Sequence, residues 1–360
     1  MYIEGILRLT SPLHCAAPSD GGNERKNLTR TMRQKVITRI GIDSVPFFPA
    51  NDIKGRLRRK AAAMVIRQIV TDKQKLTVPL YVGLTSGAVG GRPENTSTVE
   101  EINRARDNVY MGLFGGGVRM LRARLRVSDL VPVIASTIDA KLVPAAYAET
   151  TAETFQPIVY DKAAQESRPA RGHDLIEEFT FFRVDDAARV LRADEVNQSI
   201  GNAPKAIADY QAGIAENTKS RKATKDAPVG EQTKKTSTAN WLEYEAIRAG
   251  TPMYFRIDLA EDATEAHVGM MLLALRDLVR DQALGGKVSN GRGKFTANLK
   301  LVNGNGGLPV FDNEQAGEGA NLNPALKNYV KSAQDGIAAC TYKGIVEFFT
   351  PREQPEDEAA

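Results

Sequence analysis

Five basic side chains, Lys54, Arg56, Arg58, Arg59 and Lys60, crowd one short stretch of the segment FPANDIKGRLRRKAA. Asn51 or Asp52 can serve as N-cap, and Ile53, Leu57, Ala61, Met64 and Val65 recur at helical spacing, so the pattern predicts a helix whose first two turns hold those bases. A helix start carries partial positive charge, and each base placed there is unfavourable by roughly a few tenths of a kcal/mol. A polyanion at that end removes the conflict, because free amides and basic side chains then converge on phosphate. The plainer reading is a solvated basic face. Gly55 in the same turn costs about 1 kcal/mol relative to alanine and permits close backbone approach.

A second anion-seeking pattern is the stretch GGKVSNGRGKF, Gly285 to Phe295. Its glycines, with Gly286, Lys287, Ser289, Asn290, Gly291, Arg292 and Lys294 in sequence, suit a loop whose amides approach an anion, although a plain turn needs the same glycines. It is not a phosphate-binding P-loop, because no glycine-lysine-serine/threonine follows at the required spacing and a strand follows where a helix should. Arg122, Arg124 and Arg126 alternate with Leu121, Ala123, Leu125 and Val127, which predicts three guanidiniums on one strand face, open to phosphate or to acids across a sheet. The stretch from Arg25 to Arg39 adds Lys26, Arg30, Arg33 and Lys35, with Glu24 just before it.

These clusters locate a charge that the whole chain hides. The formal net charge is +4, but Glu353 to Ala360 hold four acids and no base, which leaves +8 on residues 1–352. The acidic end reads as a disordered tail over 351–360. Aromatic residues are only 6% of the chain, and the aromatic signature of base-stacking RNA modules is missing. Grip on a sugar-phosphate backbone is therefore expected over base readout.

Catalytic chemistry finds less support. Asp20 in APSDGG could hold a metal near a scissile phosphate, although Asp-Gly-Gly is also an ordinary turn. His14 could act as a general base, although a lone histidine after a strand is more often structural. Asp185 and Asp186 have no histidine nearby and read as a loop cap or a contact between subunits. His14, His173 and His267 show no metal-ligand spacing, and the two cysteines, Cys15 and Cys340, cannot build a disulfide framework or a four-cysteine zinc site. No cofactor or resident metal is expected. Neither a membrane span nor a signal peptide is read, which points to the cytoplasm.

The elements that must position these groups follow from periodicity. Residues 2–10 alternate as a half-buried strand, 253–259 and 295–301 do the same, and 264–284 carry a helical apolar stripe with Thr264 as N-cap and Gly285–Gly286 as stop. Residues 342–349 (YKGIVEFF) read as one more strand. The segment 217–238 has almost no large apolar residue and cannot bury a core. Stripped of excursions, the order is strand, helix, strand, strand, helix, strand, an α+β fold of the ferredoxin-like, split-βαβ kind. The expected organisation is a palm of residues 1–134 and 251–350, with excursions at 14–45 and 72–118, and an insertion at 135–250 projecting like a thumb.

Four motifs occur in order along the chain: SPLHC after the first strand, FPANDIKGRLRR, LFGGG at 113–117 leading to LRVSDL, and GGKVSNGRGKF. Together they resemble the RAMP superfamily of CRISPR-associated proteins, and more narrowly the repeated backbone subunit of multi-subunit effector complexes. FFRVDD at 181–186 and the length of the insertion resemble the type IV branch. The resemblance implies a non-catalytic subunit that binds guide RNA (crRNA), polymerises with copies of itself into a filament, and meets other complex subunits and a DNA or RNA target. It implies that Lys54, Arg56 and Arg58 contact guide phosphates, with Gly286, Lys287, Ser289, Gly291 and Arg292 forming the other half of the cradle. Some relatives cleave RNA through a first-loop aspartate, which makes a metal-dependent endoribonuclease using Asp20 the alternative. Cys15-Ala16 replaces the usual glycine after the leucine-histidine pair and loosens the match there.

Overall fold

The computed structural model describes residues 1–17, 28–39, 41–71, 74–87, 98–118, 120–148, 158–161, 164–183, 240–304 and 306–349, with scattered positions between 202 and 212. Asp20, Arg25, Lys26, Asp185, Asp186, residues 217–238 and the tail over 351–360 lie outside the described residues.

The first strand, β1 (Tyr2–Leu9), buries Ile3, Leu7 and Leu9 on one face as the alternation predicts. A short strand β2 (Leu28–Thr29) precedes the hairpin of β3 (Arg33–Thr38) and β4 (Gly41–Pro46). Helix α1 (Ala50–Ile69) follows, then α2 (Val78–Ser86), α3 (Val99–Asp107) and the single turn α4 (Met111–Phe114). Next come β5 (Leu125–Val127), β6 (Val131–Pro132), α5 (Ala135–Asp139), the hairpin β7 (Ile158–Asp161) and β8 (Glu166–Pro169), then β9 (Ile176–Arg183) and β10 (Asn240–Ile247). The chain closes through β11 (Pro252–Leu259), α6 (Glu265–Asp281), β12 (Phe295–Asn303), β13 (Gly306–Pro309), α7 (Lys327–Ala338) and α8 (Tyr342–Phe349).

The main sheet runs β13-β12-β1-β11-β5 with antiparallel neighbours. Its four principal strands, taken in chain order as one to four, lie 4-1-3-2, which is the ferredoxin-like topology. Ile3, Phe255, Ile257, Phe295 and Ala297 point to one face, where α1 and α6 supply Ile53, Leu57, Val65, Met271, Leu275 and Leu278. All are at most 3% exposed, so this is the dry core that fixes the starts of α1 and of the strand after α6. The opposite face carries a smaller cluster around Val131, Val133, Val143 and Tyr254, whose hydroxyl donates to the buried Glu4 at 2.9 Å.

Two compact units are distinguished: Met1–Pro18 with Arg30–Glu177 and Glu245–Ala360, and Ser19–Thr29 with Glu178–Tyr244. Within the second, Leu28 and Thr29 pair parallel with Glu243 and Tyr244, and Phe179 stacks on Tyr244 at 5.4 Å. Of the insertion expected over 135–250, residues up to Glu177 cluster with the sheet-bearing unit.

One element differs in kind from the sequence reading. Residues 342–349 are helix α8, not a strand, because Ile345, Phe348 and Phe349 stand at helical spacing and bury together. Phe349 lies so close to Gly83 of α2 that a β-carbon there would come within 2.6 Å of its ring.

Candidate nucleic-acid interface

Helix α1 begins two residues earlier than the nearer of its candidate caps, Asn51, suggests. Pro49 is the N-cap and makes no side-chain cap bond, while Asp129, just after β5, accepts from the Ala50 amide at 2.7 Å. Asp52 is the acid in the first turn, and the bases beyond it take different fates. Lys54 is half-buried, and burial, with Arg58 beside it, pulls its amine below the ordinary lysine value. Arg59 is exposed, and neither it nor Lys54 forms an ion pair among the described residues. Lys60 pairs with Asp281 at the end of α6.

Arg56 brings the two basic motifs together. Its Nη1 donates to the Ala283 carbonyl at 2.7 Å and its Nη2 to the Gly285 carbonyl at 2.8 Å, so the start of α1 holds the beginning of the glycine-rich loop. Burial lowers the Arg56 pKa most, Arg59 adds to the effect, and Asp52 and Asp281 oppose it. The loop turns at Gly285 and Lys287 with φ of +69° and +61°, makes a single 3-10 turn over Val288–Asn290, and leaves through Gly291 and Gly293 at +73° and +76°. Gly286, Lys287, Ser289, Asn290, Gly291 and Lys294 are exposed, and Arg292 is half-buried.

Other predicted bases are placed elsewhere. Arg58 is buried and donates to the carbonyls of Phe114 at 2.6 Å and Gly115 at 3.1 Å, so it holds the LFGGG turn. Arg122, Arg124 and Arg126 do not share a strand face, because the chain bridges Gly116 to Leu121 and enters β5 only at Leu125. Arg124 is buried, pairs with Asp262 at 3.0 Å and donates to the Arg106 carbonyl, whereas Arg122 and Arg126 are exposed. Arg30 is exposed, while Arg33 pairs with Glu245 at 2.6 Å. His14 is buried and its Nδ1 donates to the Glu245 carbonyl at 2.7 Å, as its own carbonyl accepts from the Gly286 amide at 2.9 Å.

Glu245 was not singled out by any motif. It is 5% exposed, accepts from the Thr31 amide at 3.0 Å and from Arg33, and so ties β10 to the basic excursion. A glutamate within a strand carries no signal that its partners will be distant in sequence. Among the described residues no group of three His, Cys, Asp or Glu side chains could hold a metal ion.

A model of the RAMP superfamily matches residues 6–296, from within β1 to the start of β12. The chain belongs to the RAMP superfamily. That match embraces all four motifs read from the sequence, and the 4-1-3-2 sheet is the palm that a RAMP protein was expected to have. A solved chain titled "Type IV-B CRISPR Complex" is similar over 86% of this chain and 94% of its own, at 14% identity and a TM-score of 0.45. No curated protein matches. No helix among the described residues of this RAMP protein is long and apolar enough to cross a membrane.

Proposed function

We propose that this RAMP-superfamily chain is a non-catalytic backbone subunit of a CRISPR ribonucleoprotein, of the type IV branch, that grips guide RNA and lines up with further copies of itself to present the guide to a target. The observation that carries the reading is the Arg56 contact to Ala283 and Gly285, which joins the basic start of α1 to the glycine-rich loop within a family-matched chain. Side chains around that junction supply cation, hydroxyl and amide donors: Lys54, Arg59, Lys287 and Lys294, Ser289, and Asn290. Their type suits phosphate, and the low aromatic content argues against base stacking as the main grip.

The test is co-expression of the full chain with a guide RNA, followed by size separation and the ratio of absorbance at about 260 and 280 nm. Guide-bound ladders of oligomers are expected. Recovery as an RNA-free monomer from such cells overturns the proposal.

A further inference from the structure

The resemblance assigns Arg56 to a guide phosphate, but its two terminal nitrogens already point inward at backbone carbonyls. The neck of the glycine-rich loop is bound from both sides. Arg56 holds the carbonyls of Ala283 and Gly285, while the amides of Leu284 and Gly286 donate to the carbonyls of Gly293 at 3.0 Å and His14 at 2.9 Å. The returning leg is held as well, with the Gly293 amide on Pro12 at 2.9 Å and the Lys294 amide on Ser11 Oγ at 2.8 Å. The tip from Lys287 to Gly291 is exposed. A guanidinium suits such a place because its planar fork satisfies two acceptors at once and stays charged when half-buried.

We infer that Arg56 is a positioning residue: it takes no phosphate itself, and it fixes the loop neck so that Lys287, Ser289, Asn290 and Lys294 meet a polyanion at a set distance from Lys54 and Arg59. This rests on the RNA-gripping reading above. A polyanion in a cradle of two parts loses affinity when the parts move relative to each other, even though every cation remains. The number of phosphates neutralised, and hence the salt dependence, stays the same.

The experiment uses the full chain and a labelled single-stranded polyuridine. Arg56→Gln is expected to weaken binding at least tenfold at a temperature where the variant is fully folded, with the slope of log affinity against log salt unchanged. Arg56→Lys, which keeps the charge but reaches one carbonyl, should recover only part of the affinity. A fall in slope of about 0.7, with full recovery by lysine, is the signature of a direct phosphate contact on a single strand and overturns the inference. Hydrogen exchange without RNA separates this from the underlying reading: the Leu284 and Gly286 amides should exchange at least tenfold faster in Arg56→Gln. Unchanged exchange refutes the positioning role even if RNA binds, whereas faster exchange in a wild-type protein that ignores polyuridine refutes the RNA reading alone.

Discussion

Arg58 lies 5.5 Å from the centroid of the Phe114 ring and donates to the carbonyl of that same residue at 2.6 Å. Its second bond, to Gly115, and the passage of Gly87 so near that a β-carbon there would fall 2.2 Å from Nη1 make this arginine the post around which the LFGGG turn is wound. Arg58→Ala leaves two buried carbonyls without a charged donor, and a loss of roughly 3 kcal/mol is expected. Arg58→Lys should recover little, since an ammonium cannot serve both acceptors in one plane. Urea unfolding of the two variants checks this, and a midpoint near wild type in Arg58→Ala would falsify it.

Arg59 offers the opposite behaviour. It is exposed and without an ion pair among the described residues, so Arg59→Gln should leave the unfolding midpoint unchanged. On the RNA-gripping reading it removes one phosphate contact and lowers the salt slope by about 0.7. A filter-binding series over several salt concentrations measures the slope directly.

Acid should weaken the fold through His267. The ring is fully buried, its Nδ1 accepts from the Thr264 amide at 3.1 Å, and its Nε2 faces the Asn108 carbonyl at 3.3 Å, so the neutral Nε2-protonated form fits. Burial first, and Arg124 second, lower its pKa below the ordinary 6.5, against the opposing pull of Asn108, Asp262 and Asp107. The folded value is depressed, so below pH about 6.5 the unfolded chain binds a proton that the native chain refuses. Stability is therefore complete above that pH and declines as pH falls toward the depressed folded value. Urea titrations of wild type and His267→Gln should show this component of the decline in wild type alone.

Gly293 tests the loop neck independently of charge. It sits at φ of +76°, and a β-carbon there would be 1.8 Å from the Leu284 carbonyl, which is a backbone atom that cannot step aside. Gly293→Ala should cost more than the roughly 1 kcal/mol of the left-handed conformation alone. Equal thermal midpoints for variant and wild type would contradict the geometry.

Both cysteines should be chemically silent in the native chain. Burial, aided by Asp52, pushes the Cys15 thiol up to about 12, and burial also raises Cys340. A thiol-disulfide reagent at about pH 8 should label neither until denaturant is added, since only thiolate reacts.

The sheet was legible because residues 2–10, 253–259 and 295–301, which supply β1 and most of β11 and β12, set apolar residues at every second position, and Thr264 caps α6 as its position and type suggest. Helix α8 was misread because YKGIVEFF is rich in β-branched and aromatic residues, which favour strands in isolation. Burial of Ile345, Phe348 and Phe349 on one side overrode that preference. At the candidate site the sequence showed where positive charge gathers but not which charges are spent. Arg56 and Arg58 look alike in GRLRRK, yet two residues apart on a helix they face different ways, and each meets carbonyls hundreds or tens of residues distant. A backbone carbonyl leaves no mark in a residue alphabet.

The position of β1 has a consequence for biosynthesis. Its residues Tyr2 to Leu9 occupy the centre of the sheet, and both neighbours, β11 and β12, are made of residues from Pro252 to Asn303. At about 5–20 residues per second, the first strand leaves the ribosome roughly 15–60 s before its second partner exists. For that interval Ile3, Leu7 and Leu9 have no sheet to enter, so the nascent chain must be sheltered or must collapse reversibly. The palm of this protein can close only once β12 has been made.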